Sequence, residues 1–270
     1  MRNLVGRVAV VTGAGSGIGR STALALAEAG CNIVAVDIDE GAARSTVGEV
    51  GRVGRIGASY GLDVRDRGGF LSLAESVATE WGGCSILVNN AGVTSAGSFI
   101  EESDRDLEWI FDINVWGVVN GVRAFLPQML AAGEGHIVNL SSMVGLLGLP
   151  HNTSYAATKG AVRSLTESLR GELVTSGVGV TAVFPGSIHT NITAGARGSQ
   201  GARLAKLGNS ALAPMVMRSP DSVARAIVRS IRKNRARVVV GPDAHLVSAL
   251  TRVLPGRSGL IGRLTNRLIE

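Results

Sequence analysis

The stretch Thr12-Gly13-Ala14-Gly15-Ser16-Gly17-Ile18-Gly19 joins a run of β-branched residues to an alanine-rich segment. The run, Arg7–Thr12, is typical of a buried strand, and Gly17–Glu28 has the composition of a helix. Glycines between a strand and a helix let the backbone turn tightly and approach a pyrophosphate, whose charge is met by amides at the helix N-terminus. The stretch therefore predicts a dinucleotide-binding turn. The residues expected to line it are Gly13, Gly15, Ser16, Gly17, Ile18 and Gly19.

Strands and helices continue to alternate along the chain. Further strands are predicted at Asn32–Asp37, within Arg55–Val64, and at Ser85–Asn89, Glu134–Leu140, Val178–Phe184 and Ala236–Val240. Helices are predicted at Glu40–Val50, Arg67–Trp81, Asp104–Leu130, Ser154–Thr175 and Pro220–Arg232. This alternation indicates βαβ units. We therefore expect an α/β protein: a single doubly wound Rossmann domain with about seven strands in a mostly parallel sheet and helices on both faces.

The predicted domain spans residues 1–241. Within it, the polar segment Gly186–Pro214 is too long for an ordinary connection, so we expect a substrate lid at 186–217. Residues 242–270 form a basic amphipathic C-terminal extension. Its apolar positions are Leu246, Val247, Leu250, Val253 and Leu254, followed by Leu260, Ile261, Leu264 and Leu268. Such a stretch can lie on an anionic membrane, or it can pack on its own domain or on a neighbouring subunit.

The composition excludes several classes of protein. Hydrophobic residues make up 45% and charged residues 18%, which is globular, and the 37 glycines show no collagen period. From Arg197 onward 14 Lys and Arg face 3 Asp and Glu, a net charge of +11, while the first 196 residues hold 13 and 18, a net charge of −5. The basic character is thus confined to the C-terminal part and does not predict a nucleic-acid binder. Two cysteines cannot build a disulfide framework, and Met1–Arg7 lacks the apolar run of a signal peptide. We expect a cytoplasmic protein.

Asp37 ends the second predicted strand, 24 residues beyond Gly13. An acidic side chain there can accept hydrogen bonds from both ribose hydroxyls and repels a 2′-phosphate. Neither position 16 nor position 38 carries an Arg or Lys that could pair with such a phosphate. The sequence therefore favours NAD over NADP as the cofactor.

Tyr155 and Lys159 are four residues apart on a predicted helix and so share a face. An ammonium near a phenol favours the phenolate and lowers its pKa from about 10 toward the working pH. Tyr155 is thus a candidate general acid or base. Taken alone, however, this spacing also fits an ordinary surface pair.

The combined motifs resemble those of the short-chain dehydrogenase/reductase family. The segments that carry the resemblance, in the family's order and spacing, are Thr12–Gly19, Asp63, Asn89–Gly92, Asn114, Ser141-Ser142, Tyr155–Lys159 and Pro185-Gly186. The resemblance covers about residues 5–240, which is nearly the whole chain.

The resemblance implies four catalytic residues. Tyr155 is the expected acid/base, and Lys159 is expected to bind the nicotinamide ribose and lower the pKa of Tyr155. Ser142 is expected to bond the substrate oxygen, with Ser141 as a competitor whose side chain should point to the opposite side. Asn114 is expected to hold a water of a proton relay, although it could also be a polar residue on an exposed helix face.

The resemblance also implies cofactor contacts outside the glycine-rich turn. Tyr155 and Lys159 are expected at the nicotinamide end. The other expected contacts are Asp63 and Val64 at the adenine, the backbone of Asn90, Ala91 and Gly92, and Pro185, Gly186, Ile188 and Thr190 over the nicotinamide. Beyond Thr190 no cofactor motif is evident, and neither His151 nor His189 has companions at metal-site spacing, so no metal is expected.

These expectations indicate an NAD-dependent oxidoreductase acting on a secondary alcohol or ketone. The apolar segments Met143–Pro150 and Leu204–Met217 favour a hydrophobic substrate. A reductase of carrier-bound 3-oxoacyl groups is the nearest alternative, with the basic tail meeting an acidic carrier. Asp37 counts against that alternative, because such reductases in this family usually use NADPH. A non-catalytic dinucleotide sensor and a peripheral membrane scaffold are alternatives of other classes.

A homo-oligomer, either a tetramer or a dimer, is also expected from the resemblance. The helices Asp104–Leu130 and Ser154–Thr175 would pair across a two-fold axis. A stripe of Trp109, Trp116 and Phe125 would supply the apolar area of that interface.

Overall fold

A seven-stranded parallel sheet organises the structure, a computed structural model that describes residues 1–208 and 217–253. The strands are β1 (Val8–Thr12), β2 (Asn32–Asp37), β3 (Gly57–Gly61), β4 (Ile86–Asn89), β5 (Gly135–Leu140), β6 (Val178–Pro185) and β7 (Arg237–Val240). Their spatial order is β3-β2-β1-β4-β5-β6-β7, and every pairing is parallel. The strand order reverses between β1 and β4, which is where doubly wound sheets bind their ligands.

Helices cover both faces of the sheet, as predicted. They are α1 (Gly17–Glu28), α2 (Glu40–Arg52), α3 (Arg67–Trp81), α4 (Asp104–Phe111), α5 (Gly117–Ala132), α6 (Thr153–Glu172), α7 (Gly201–Gly208), α8 (Pro220–Lys233) and α9 (Pro242–Val253). Short 3-10 turns occupy Phe99–Glu101, Met143–Gly145 and Asn191–Thr193.

The strands read as continuous apolar runs because both of their faces are buried. In β1, Ala9 and Val11 face one core, which they share with residues such as Leu26 of α1 and Ile227 of α8. Val10 faces the opposite core, which holds the fully buried Phe70 of α3 and Phe125 of α5. Two cores thus fix the sheet from both sides and hold the carboxyl ends of its strands in place.

The helix predicted at Asp104–Leu130 is present from Asp104 to Ala132 without a gap, but its α-helical repeat is interrupted. A π-helical turn, Asp112–Trp116, separates α4 from α5. A π turn adds a residue to the helical repeat and so rotates the faces that follow it. The predicted aromatic stripe is wrong for this reason: Phe125 is fully buried in the core, while the side chain of Trp116 is 56% exposed.

Arg197, in the described part of the lid segment, packs on the loop that follows β4. Arg197 exchanges backbone hydrogen bonds with this loop, donating to Thr94 (3.2 Å) and accepting from Ala96 (2.8 Å). The segment then enters α7, so it is not a structureless loop. Residues 209–216 of the predicted lid lie outside the described residues.

The predicted tail begins as α9, which packs through Ala244 and Ser248. Its predicted apolar stripe is not buried as one surface, because Leu246 is 61% and Val253 is 75% exposed. The positions from Leu254 onward, including Leu260, Ile261, Leu264 and Leu268, lie outside the described residues. In the part of the chain that is described, no helix is long and apolar enough to cross a membrane.

Candidate active site

A cleft of about 510 Å³ opens at the carboxyl ends of the strands, across the switch point between β1 and β4. Seventeen of the residues expected from the sequence line it: Gly13, Ser16, Gly17, Ile18, Asp37, Asp63, Val64, Asn90, Ala91, Gly92, Ser142, Tyr155, Lys159, Pro185, Gly186, Ile188 and Thr190. Gly15, Gly19 and Asn114 complete the expected set but do not line the cleft. The fold therefore gathers into one place residues that the sequence spreads over most of its length.

The glycine-rich turn is shaped by close backbone approaches. Gly13 and Gly17 have φ values of +63° and +51°, which side-chain-bearing residues rarely adopt. A Cβ at Gly13 would lie 2.8 Å from Nδ2 of Asn90, and one at Gly19 would overlap the carbonyl of Gly13. The N-cap of α1, Ser16, makes no side-chain capping bond, so the first amides of the helix are left to an anion. This cradle fits a pyrophosphate.

Two carboxylates stand at the far end of the cleft from Tyr155. Asp37 accepts a hydrogen bond from the amide of Gly15 (2.8 Å), which ties the end of β2 to the glycine-rich turn. Asp63 pairs with Arg65 (2.6 Å), and this bond lowers the pKa of Asp63. The guanidinium of Arg65, which also lines the cleft, is therefore already engaged.

Asn114 lies in the π turn and is fully buried, so the alternative of an exposed helix face is wrong. Its Oδ1 accepts from the amide of Val93 (2.8 Å), and its Nδ2 donates to the carbonyl of Val93 (2.9 Å) and to Oγ1 of Thr158 (3.1 Å). A Cβ on Gly92 would sit 3.0 Å from Oδ1 of Asn114 and 3.3 Å from Nζ of Lys159. Asn114 and Lys159 thus approach each other across Gly92.

The two serines that follow β5 point to different sides, as expected. The Ser141 hydroxyl is buried and donates to the carbonyl of Lys159 (2.7 Å). The Ser142 hydroxyl accepts from the amide of Val144 (3.4 Å) and lies near enough to the phenol of Tyr155 to lower the pKa of that phenol. Of the two serines, Ser142 is therefore the one placed to contact the same substrate oxygen as Tyr155.

The electrostatics of Tyr155 differ from the sequence expectation. Burial raises its pKa to about 12, and the nearby Ser142 hydroxyl offsets only part of that effect. Lys159 is buried too, which lowers its pKa to about 8. Its Nζ donates to the carbonyl of Leu140 (3.0 Å) and lies 5.8 Å from the centre of the Tyr155 ring. The sequence predicted that Lys159 would lower the pKa of the phenol, whereas burial raises it in this structure.

Sequence reasoning missed the wall of the cleft near Tyr155. Trp109 of α4 lines this wall, and the guanidinium of Arg197 stacks on its ring at 3.9 Å. Arg197 also pairs with Asp106 (3.0 Å). Ile113 and Ile192 extend the same apolar wall. No local motif marks these residues, because the lid and α4 meet only in the folded chain.

Residues 7–201 match the family model for short chain dehydrogenases. The chain belongs to the short-chain dehydrogenase/reductase family and is an oxidoreductase of that family.

Individual relatives extend this likeness over nearly the whole chain. SadH of Mycobacterium tuberculosis, named as an oxidoreductase, is 39% identical over 256 residues, which is 94% of this chain and 93% of SadH. The 3-oxoacyl-[acyl-carrier-protein] reductase FabG of Thermotoga maritima is 37% identical over 191 residues, which cover 70% of this chain and 77% of FabG. The crystal structure of a short-chain dehydrogenase/reductase from Burkholderia phymatum in complex with NAD superposes with a TM-score of 0.83, at 33% identity over 93% of this chain and 95% of that one. A nicotinamide dinucleotide is therefore the cofactor that the family and the cleft have in common.

Proposed function

We propose that this protein transfers hydride between NAD and a hydrophobic secondary alcohol or ketone, with Tyr155 moving the hydroxyl proton. The observation that carries this proposal is the continuity of the cleft. The glycine-rich turn lies at one end, and Ser142, Tyr155 and Lys159 lie at the other. A bound dinucleotide supplies the hydride donor or acceptor, while the protein orients both reactants and handles the proton.

In the ketone-reducing direction Tyr155 is the acid. With a pKa raised to about 12, Tyr155 holds its proton and can donate it to a carbonyl oxygen. Ser142, close to the same phenol, would hold that oxygen in line. When hydride adds to the carbonyl carbon and the Tyr155 proton adds to the oxygen, a secondary alcohol results. Lys159 would return a proton to Tyr155 and would be reprotonated from solvent through a water held by Asn114, which approaches Lys159 behind Gly92.

Asp37 supports NAD rather than NADP. Its carboxylate lines the cleft beside the amide of Gly15, where a 2′-phosphate would meet a negative charge. Arg65, the guanidinium in this part of the cleft, is paired with Asp63. The Burkholderia relative holds NAD, in agreement with this choice.

The lining near Tyr155 supports a hydrophobic substrate. Among the described residues of the cleft, the charged ones are Asp37, Asp63, Arg65 and Lys159. The first three belong to the nucleotide end. Trp109, Ile113, Ile188 and Ile192 surround the other end, and an apolar alcohol or ketone would bury its carbon skeleton against them.

A carrier-linked 3-oxoacyl reductase is the second candidate, and its support is the likeness to FabG. The exposed face of α8, with Arg225, Arg229 and Arg232, would suit an acidic carrier. A substrate panel with NAD(H) and NADP(H) separates the two candidates. NAD-linked turnover of hydrophobic secondary alcohols or ketones supports the first, while NADPH-linked turnover confined to 3-oxoacyl thioesters supports the second. Turnover no higher than that of the Tyr155→Phe variant, with every substrate and both cofactors, would refute both candidates. That result would favour a dinucleotide sensor.

A further inference from the structure

Two glycines at the ends of adjacent strands leave a notch that holds the carboxylate of Asp243. Gly186 follows β6, Gly241 follows β7, and Asp243 stands in the first turn of α9. A Cβ on Gly186 would overlap the carboxylate of Asp243, and one on Gly241 would lie 2.5 Å from its Oδ1. The carboxylate therefore occupies space that a side chain at either glycine would fill.

Within this notch the carboxylate is bonded to the backbone of the cleft. Oδ2 of Asp243 accepts a hydrogen bond from the amide of Ser187 at 2.7 Å. Gly186 and Ile188, on either side of Ser187, both line the cleft. A hydrogen bond from an amide to an ionised carboxylate is stronger than one between neutral groups, so this contact fixes the peptide between Gly186 and Ser187.

Backbone bonds hold the same loop on its other side. The carbonyl of Ser187 accepts from the amide of Arg218 (3.0 Å), and the amide of His189 donates to the carbonyl of Arg218 (3.0 Å). Those bonds keep the loop on the neighbouring chain segment but leave the Ser187 amide to Asp243. Since Asp243 lies in the first turn of α9, its charge is also favoured by the helix N-terminus.

We propose that Asp243 is a positioning residue of the cofactor site, which sets the loop Pro185–Thr190 at the height where Ile188 meets the nicotinamide. This inference rests on the proposed function, because it needs a nicotinamide in the cleft. Asp243 lies in the C-terminal extension, for which the sequence predicted no contact with the cofactor.

A matched control exists elsewhere in the chain. Asp221 also follows a proline in the first turn of a helix, α8, and its carboxylate accepts from the hydroxyl of Ser21 (2.7 Å). It does not line the cleft. Asp221→Ala therefore removes the same kind of helix-terminal charge without touching the loop.

The test compares wild type, Asp243→Ala, Asp243→Asn and Asp221→Ala in two measurements. NADH affinity is measured by fluorescence titration, and deuterium uptake by peptides that cover 185–190 is measured in the NADH-free protein. We expect Asp243→Ala to weaken NADH binding about tenfold, as for loss of a bond to a charged group, and to speed uptake in 185–190. Asp243→Asn keeps an acceptor oxygen and should restore most of the affinity, while Asp221→Ala should match wild type in both measurements.

The outcomes separate this inference from the proposed function. Wild type that binds no NADH overturns the proposed function. Wild type that binds NADH, with Asp243→Ala at unchanged affinity or unchanged uptake in 185–190, overturns the positioning role. If Asp243→Ala does not fold, Asp243→Asn decides: about threefold weaker NADH binding with locally faster uptake supports the role, and wild-type values in both measurements overturn it.

Discussion

The ammonium of Lys159 lies 5.8 Å from the centre of the Tyr155 ring and gives its hydrogen bond to the carbonyl of Leu140. The lysine therefore supports the end of β5 as well as the catalytic helix. The charge of Lys159 does not lower the pKa of the Tyr155 phenol below its ordinary value, because burial raises that pKa to about 12. Under the proposed function, this burial keeps on Tyr155 the proton that a substrate oxygen would take.

Replacing Tyr155 with Phe keeps the ring and removes the proton donor. Because acid/base catalysis contributes roughly 10²–10⁴-fold, turnover should fall by at least that order. NADH affinity, measured in the same preparation, should stay close to the wild-type value. Turnover near the wild-type rate would show that Tyr155 is not the acid/base.

NADH binding should weaken as the pH rises through about 8. Burial lowers the pKa of Lys159 to about 8, so its ammonium is present below that pH and is lost above it. Titrations of NADH affinity from pH 6.5 to 9.5 check this. Lys159→Met should bind weakly and without this pH dependence; a variant with the same profile as wild type would assign the transition to another group.

Replacing Asp37 with Asn should weaken NAD and relax the rejection of NADP. The change removes both the charge that repels a 2′-phosphate and a strong acceptor for ribose hydroxyls. Paired titrations with NADH and NADPH give the ratio of affinities, which we expect to fall about tenfold. A wild-type preference for NADPH would contradict the role given to Asp37.

His136 makes the protein sensitive to acid far from the cleft. The ring is buried, 2.8 Å from Oγ1 of Thr181, and burial lowers its pKa from 6.5 to about 3. The unfolded chain therefore binds a proton at higher pH than the folded one. Stability from this group is full above pH 6.5 and is lost as the pH falls toward 3, at up to about 1.4 kcal/mol per pH unit.

Urea unfolding of wild type and His136→Gln between pH 7 and 4 tests this effect. The slope of the free energy of unfolding against pH should be smaller in the variant, by the amount that corresponds to the binding of about one proton. His245→Gln, at an exposed position, serves as the control and should keep the wild-type slope. Equal slopes in wild type and His136→Gln would place the acid sensitivity elsewhere.

Trp116 is the aromatic residue we expect in a subunit interface. It is 56% exposed at the junction of α4 and α5, on the pair of helices expected to form a homo-oligomer. Trp116→Lys should dissociate the oligomer in light scattering. Ile100→Lys, at a residue 91% exposed in a 3-10 turn, should leave its size unchanged. A wild-type monomer would refute the assembly.

The sequence alone was enough to predict the position of residues that lie next to the end of a strand or the start of a helix. The glycines from Gly13 to Gly19 and the acid Asp37 occupy fixed places relative to a strand and a helix, so local pattern was enough to place them. For the serine pair, alternation at a strand end predicted that the two side chains point to opposite sides, while the resemblance to the family selected Ser142.

Features that depend on tertiary contact could not be read in this way. The π turn around Asn114 is supported by bonds to Val93 and Thr158, which come from other parts of the chain. The raised pKa of Tyr155 follows from burial, which periodicity does not measure. Asp243 approaches Ser187 only because β6 and β7 are neighbours.

The wall lined by Trp109, on whose ring Arg197 stacks, lies outside the sheet, whereas the nucleotide end is built largely from strand-end backbone. Under the proposed function, substrate choice and cofactor choice therefore depend on separate parts of the chain. A lineage, or a protein engineer, can replace Trp109 and its arginine to accept a bulkier ketone without disturbing the turn that grips the dinucleotide. Related proteins can in this way differ in substrate while they keep the same nicotinamide cofactor.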